Sequence, residues 1–500
     1  MNKWIPLIII NVFILSGCVN DKPGDPTTDK ISLKKAREDF DVFTAILKSA
    51  HPSLNVYLSK KRFYYLTDSI RNSLTDPVTL KDFYNKINFI ANETGCSHTN
   101  ADLAGYVYDT LQNRAVFFPY PVKWIGDKLF INVAGQDLSE RTEIRRINNE
   151  PVKEIIKNLM VYNSVEGFHR KAQENLAADN FSMEYFLKYG AQEKFDLNVL
   201  DTFGKQRWLT ENAVSLSEWN NREINYKYYY DPVTVDYDFY IDNEKKYAYL
   251  RLATFQYEGN LKQNAFENFC YNSFELLQNK KNIKSLIIDL RENTGGKLYN
   301  SFLLYSFLTE KPFNEFERAI CKIKTIPYTR YLEKDFSEYK KDDVNKSIEK
   351  EFFARLNNDF FTMPDSLIET WQPNNFHYTG QVFIITNSKV ASAASYFAVL
   401  VKNAGRGKII GEETQGGAFS GNGFTTLKYE LPNSRINFSF PYVHFIYTNK
   451  EEKNTGHGLV PDYFIPDSYE SFKNNADRQL TFIIDTLILN NKSLKQDEQK

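Results

Sequence analysis

Three short stretches carry residue types that could take part in chemistry. In SKVASAASYFAVL (388–400), serines stand at 388, 392 and 395 between the apolar run QVFIIT and a helical pattern. A serine at a helix start meets unpaired amides and the positive end of the helix dipole, which favour negative charge on a neighbouring oxygen. In SLIIDLRENTGG (285–296), a Gly pair follows an apolar strand pattern, so Gly295 and Gly296 free the backbone to turn and aim amides at a ligand. In TGCSHT (94–99), Ser97 and His98 sit where a helical pattern ends. A neutral imidazole with an orienting partner is a competent base near pH 7. Taken singly, each stretch also reads as an ordinary turn, cap or loop.

The elements that must position these residues follow from periodicity. Residues 32–112 place apolar side chains at helical spacing, as in Ala36, Phe40, Phe43 and Leu47, and form an N-terminal helical domain. Residues 113–230 turn β-rich around the Gly126–Asp127 turn, and EIRRINNEPVKEIIKNLM resembles part of a PDZ-like module. Residues 231–470 alternate uninterrupted apolar strands (SLIIDLR, QVFIITN, KIIG) with helices, which predicts a mixed sheet covered on both faces. Residues 471–500 read as a C-terminal helix and polar tail. The fold class expected is therefore α+β and multidomain, ending in an α/β core. In such sheets, ligands gather beyond the carboxyl ends of the strands. The Gly turn at 295–296, the helix start at 392 and the Gly-rich GEETQGGAFSGNG (411–423) all fall there.

With 62 basic against 63 acidic residues and a net charge of -1, the chain lacks the electrostatic footprint of a nucleic-acid binder. Its start, MNKWIPLIIINVFILSGC, has an apolar run from Trp4 to Leu15 that is too short to span a bilayer comfortably but suits a signal peptide. Leu15-Ser16-Gly17-Cys18 resembles the bacterial lipobox. That predicts a lipoprotein signal peptide over 1–17, lipidation at Cys18, a flexible tether over 18–31 and a lipid anchor in the bacterial cell envelope, at the outer membrane. Cys96, Cys270 and Cys321 fit no metal or redox spacing, and no cofactor is implied.

Taken together and in order, YAYLRLATF, SLIIDLRENTGG, VFIITNSKVASAASYFAVLVKNAGRGKIIGEETQGG and GHGLVPD resemble the C-terminal processing (tail-specific) serine proteases, across about residues 245–466. The resemblance implies a crotonase/ClpP-like protease core and protein or peptide substrates. It places the nucleophile on Ser392, with oxyanion donors at Ala393 and in the Gly295–Gly296 turn. The lysine base of the main family is missing, because the loop reads Thr414-Gln415-Gly416-Gly417. This points to the tricorn-like, retinoid-binding-protein-like branch, whose Ser-His pair Ser97-His98 matches. For the third member Glu452 is the candidate, with Glu451 and His457 nearby. Asp289, Arg291 and Asp462 are expected to brace loops. A histidine base implies activity that falls as pH drops through roughly 6 to 7. The competing reading is an inactive relative that binds peptides or ligands as an envelope lipoprotein. Oligomeric state is not legible.

Overall fold

The computed structural model describes residues 24–224, 236–448 and 453–490. Its central sheet has six strands in sequence order: β1 (Tyr237–Asp242), β2 (Tyr247–Leu252), β3 (Ser285–Asp289), β4 (Gln381–Thr386), β5 (Lys408–Gly411) and β6 (Tyr463–Phe464). The β1–β2 pair is antiparallel and every later pairing is parallel. The apolar runs seen in the sequence are the middle strands, buried on both faces as parallel strands must be. Side-chain alternation sorts them. Leu286, Ile288, Ile384 and Ile409 face a layer that includes α1 (Gly259–Asn279), α2 (Leu298–Ser306) and α3 (Ser392–Asn403). Ile287, Phe383, Ile385 and Ile410 face Ile483, Ile484, Leu487 and Ile488 of the last helical segment.

A second sheet carries the long hairpin Ser420–Glu430 and Asn437–Ile446. The short strand Asn100–Asp102 joins it antiparallel, with Ala101 opposite Phe438. The N-terminal helices Leu33–Ala50, Lys60–Asn72 and Leu80–Glu93 lead to that strand and share one buried cluster with the central core. Residues 122–212 contain a five-stranded antiparallel sheet path with helices Val152–Leu159, Arg170–Asp179 and Phe181–Tyr189 and a buried cluster of their own. No helix among the described residues is long and apolar enough to cross a membrane. Cys18 and the leader lie outside the described residues, as does Glu452.

Candidate active site

The parallel strands β3, β4 and β5 end side by side, and the loops after them build the site. After β4 the chain turns sharply into α3, and Ser392 opens that helix with φ +48°. A non-glycine residue in the left-handed region is strained, and a serine on such a strand-to-helix elbow is thrust out of the turn. The Ser392 side chain is only half-buried among buried neighbours.

The elbow closes this tightly because Gly295 lies against it. A Cβ on Gly295 would stand 2.7 Å from Ser392 Cβ and 2.9 Å from Ala393 N, and its φ of +102° already excludes most side chains. Asn293, fully buried, ties the two loops together. Its carbonyl accepts from Ala391 N–H at 3.2 Å, its Oδ1 accepts from Gly295 N–H at 2.9 Å, and its Nδ2 donates to Leu252 O at 3.1 Å. This separates the two glycines. The amide of Gly295 is committed to Asn293, whereas those of Gly296 and Ala393 have no hydrogen-bond partner among the described residues. The free amide of Ala393, next to the serine in the first turn of a helix, and that of Gly296, next to the glycine packed on Ser392, can receive an oxyanion.

The Ser97–His98 loop arrives from the other side, carried by the pairing of Asn100–Asp102 with the second sheet. Ser97 Oγ lies 3.2 Å from His98 Nδ1 and donates to Glu166 Oε2 at 3.3 Å, and Ser97 N–H donates to the same oxygen. Asn422 Nδ2 donates to the other carboxylate oxygen at 2.9 Å. Asn422 Oδ1 in turn accepts from Ser53 and meets His444 Nδ1. The carboxylate beside Ser97 and His98 is thus Glu166, which sequence reasoning missed. No local signal marks it, because its partners are brought from distant segments by the fold. His98 Nε2 has no partner among the described residues.

Four loops meet here. Gly167 N–H donates to Gly95 O at 2.8 Å and Phe168 N–H to Gly456 O at 2.8 Å. Thr414 and Ala418 pair with Leu459 and His457, so the Gly-rich loop and GHGLVPD are laced together. Gly416 and Gly417 are the hinge of the arrangement. A Cβ on Gly416 would stand 3.0 Å from Ser392 N, and one on Gly417 would stand 3.2 Å from Glu166 Cγ. Ser392 and the His98–Glu166 group therefore flank the same two residues, although no hydrogen bond joins Ser392 to His98.

Burial sets the charges. It pushes the His98 imidazole down to about 4 and the Glu166 carboxyl up to about 7, the latter against the opposing pull of hydrogen bonds from Ser97 and Asn422. Lys389 is unsuited to act as a base, since its ammonium sits 2.7 Å from both Asp179 and Glu292. Ser388 is held by Asn175, and Ser395 donates back to Ser392 O at 2.9 Å. Arg291 clamps buried Asp289 and reaches Asp477, while Asp462 accepts from Ile409 N–H. His457 is exposed and pairs with Glu413.

The sequence model of peptidase family S41 matches residues 246–465. The crystal structure of mature CPAF aligns over 91% of this chain and 96% of its own, at 16% identity and a TM-score of 0.61. Mature CPAF complexed with lactacystin gives 93% and 99%, 15% identity and 0.62. A CPAF serine-to-alanine mutant gives 91% and 98%, 14% identity and 0.66. No curated protein matches the chain. The matched segment contains both Ser392 and the Gly295–Gly296 turn, and the chain carries a peptidase family S41 domain on a fold shared with CPAF.

Proposed function

We propose that the chain is an active serine peptidase in which Ser392 is the nucleophile and His98 the general base. The observation that carries this is the strained Ser392 elbow, backed by Gly295 and flanked by the unpartnered amides of Ala393 and Gly296. Ser392 Oγ attacks the scissile carbonyl while His98 Nε2 takes its proton. The Ala393 and Gly296 amides stabilise the oxyanion, and His98 then protonates the leaving amine. Water repeats the sequence on the acyl-enzyme.

Ionised Glu166 accepts from the Ser97 hydroxyl, whose oxygen then accepts from His98 Nδ1–H. This leaves the lone pair on Nε2. Protonated Glu166 reverses the relay: it donates to Ser97, Ser97 donates to Nδ1, and Nε2 carries the proton and cannot accept one. Gly295, in the sequence reading an oxyanion donor, serves here as the surface against which the elbow closes. Substrates are proteins or peptides of the cell envelope, where Cys18 anchors the chain through lipid. The apolar run before Leu15-Ser16-Gly17-Cys18 supports that anchor.

The test uses the full chain with a fluorophosphonate probe and unfolded protein substrates. Wild type is labelled and cleaves, Ser392→Ala loses labelling, and both Ser392→Ala and His98→Ala lose at least about 10³-fold in turnover. Lactacystin, bound in one CPAF structure, is a second probe. Activity persisting in Ser392→Ala rules out this nucleophile. The missing hydrogen bond between Ser392 and His98 favours the second reading, an inactive peptide-binding lipoprotein, and a wild type inert to probe and substrate selects it. Incorporation of labelled palmitate that survives Cys18→Ala rules out the anchor.

A further inference from the structure

We infer that Cys96, His98 and Glu166 form a binding site for a thiophilic divalent cation, zinc above all, and that occupation of this site switches the peptidase off. The second half rests on His98 being the base. Cys96 Sγ, a ring nitrogen of His98 and a carboxylate oxygen of Glu166 all lie within 4.8 Å of one another. A thiol, an imidazole and a carboxylate are the mixed donor set that suits zinc, whereas calcium and magnesium want oxygen alone. Zinc with bonds of about 2.0–2.3 Å needs its donors roughly 3.3–3.7 Å apart, so the widest pair must close by up to about 1.5 Å. Rotation of the Glu166 and Cys96 side chains can supply that.

The backbones that carry the donors are already fixed to each other. Gly167 N–H donates to Gly95 O at 2.8 Å, locking the residue after Glu166 to the residue before Cys96, and Thr99 N–H closes the turn onto Cys96 O at 3.0 Å. Three protein donors leave one position of a tetrahedron open, for water or for Ser97 Oγ, which already lies 3.3 Å from Glu166 Oε2. The thiol is buried, with 1% exposure, while His98 is only part-buried. Nothing in the proposed peptidase chemistry uses Cys96.

On binding, the Cys96 S–H bond breaks, its proton leaves to buffer and a sulfur–zinc bond forms, with no change of oxidation state. A neutral imidazole has one ring lone pair. Once zinc holds it, the other nitrogen carries the hydrogen, so whichever nitrogen binds, His98 can no longer accept the Ser392 proton.

The test uses the full chain stripped with a chelator, with cobalt(II) as a spectroscopic substitute and a chromogenic chelator competing for zinc. Wild type should show a thiolate-to-cobalt charge-transfer band saturating at one equivalent. Cys96→Ala should lose the band and, like Glu166→Gln, bind zinc at least about tenfold more weakly. Cys96→Ser, close in size, should also lose the band while keeping the wild-type melting temperature, which separates lost ligation from lost fold. Ser392→Ala should bind as wild type does. Peptidase activity of the wild type should fall with the same half-saturation as zinc binding and return with chelator. A wild-type cobalt complex without the thiolate band, or zinc affinity unchanged in Cys96→Ala, overturns the site. Full activity of the zinc-loaded chain overturns the switch. A wild type that binds zinc but is inert without it leaves the site standing and removes the peptidase reading instead.

Discussion

At the scale of single residues, the site is governed by where protons sit. The sequence leads one to expect an acid limb near 6 to 7 from His98 itself. Burial instead pushes that imidazole down to about 4, so His98 stays neutral well below that range. The group that titrates near 7 is Glu166, raised by burial. Activity should therefore still fall as pH drops through about 7, because protonated Glu166 reverses the Ser97 relay. Replacing Ser97 by Ala cuts the relay. The turnover of Ser97→Ala should drop about 10- to 100-fold at pH 8, and its acid limb should move down toward pH 4–5. A limb that stays near 7 in pH–rate profiles of Ser97→Ala would show that the relay does not set the base. Ser392, Ser97 and His98 were legible as candidates through the resemblance that their stretches carry together and in order, since each alone reads as an ordinary turn, cap or loop. Glu166 was not, because an isolated acid next to a glycine looks like any solvated loop carboxylate until burial and partners are known.

At the scale of elements, the strand-end loops are braced by contacts with little slack. Arg291, beyond β3, holds Asp289 at 2.6 Å and Asp477 at 2.6 Å, and Asp477 also caps the helix Arg478–Phe482 by accepting from Leu480 N–H at 3.0 Å. Arg291→Met strands a fully buried carboxylate and should cost about 3–5 kcal/mol in denaturant unfolding of the full chain, more than most surface changes. An unchanged midpoint would show that Tyr249, which donates to Asp289 at 2.7 Å, suffices. Gly416 has a different role: a Cβ there would run into Ser395 Oγ and approach Ser392 N at 3.0 Å. Gly416→Ala should lower kcat at least about tenfold by displacing the elbow. The double change with Ser395→Ala, which removes the obstructing hydroxyl, should recover part of it. Equal rates in single and double variants would place the damage elsewhere. The strand and helix periods announced these elements, but the contacts between their loops are absent from any local pattern.

At the scale of the whole molecule, the chain buries ionisable groups that the proposed chemistry does not use and carries a pH signature because of it. Glu184, buried in the middle region and accepting from Asn163 at 3.0 Å, has its carboxyl pushed up to about 8 by burial. A carboxyl whose folded value lies above its ordinary 4.5 favours the fold in its protonated form. That contribution is fully present below about 4.5 and is lost as pH rises through about 8. Glu184→Gln should therefore stabilise the full chain at pH 9, by on the order of 3–5 kcal/mol, and change little at pH 4.5. Equal melting temperatures of the two proteins at pH 9 would contradict this.

The alternation of apolar strands and helices, the Gly pair after SLIID and the serines after QVFIIT are local patterns. Local patterns suffice for strand and helix type, for the sheet's two covered faces and for a serine at a helix start. Whether Ser97 and His98 come near that helix is not local. Hydrophobic burial draws the N-terminal helices into the central core, and the pairing of Asn100–Asp102 with Asn437–Ile446 carries the loop across. The same long-range packing sets Glu166 beside them and strips it of water. Periodicity records what each segment buries, not against which distant segment it buries it, and only the folded chain decides that.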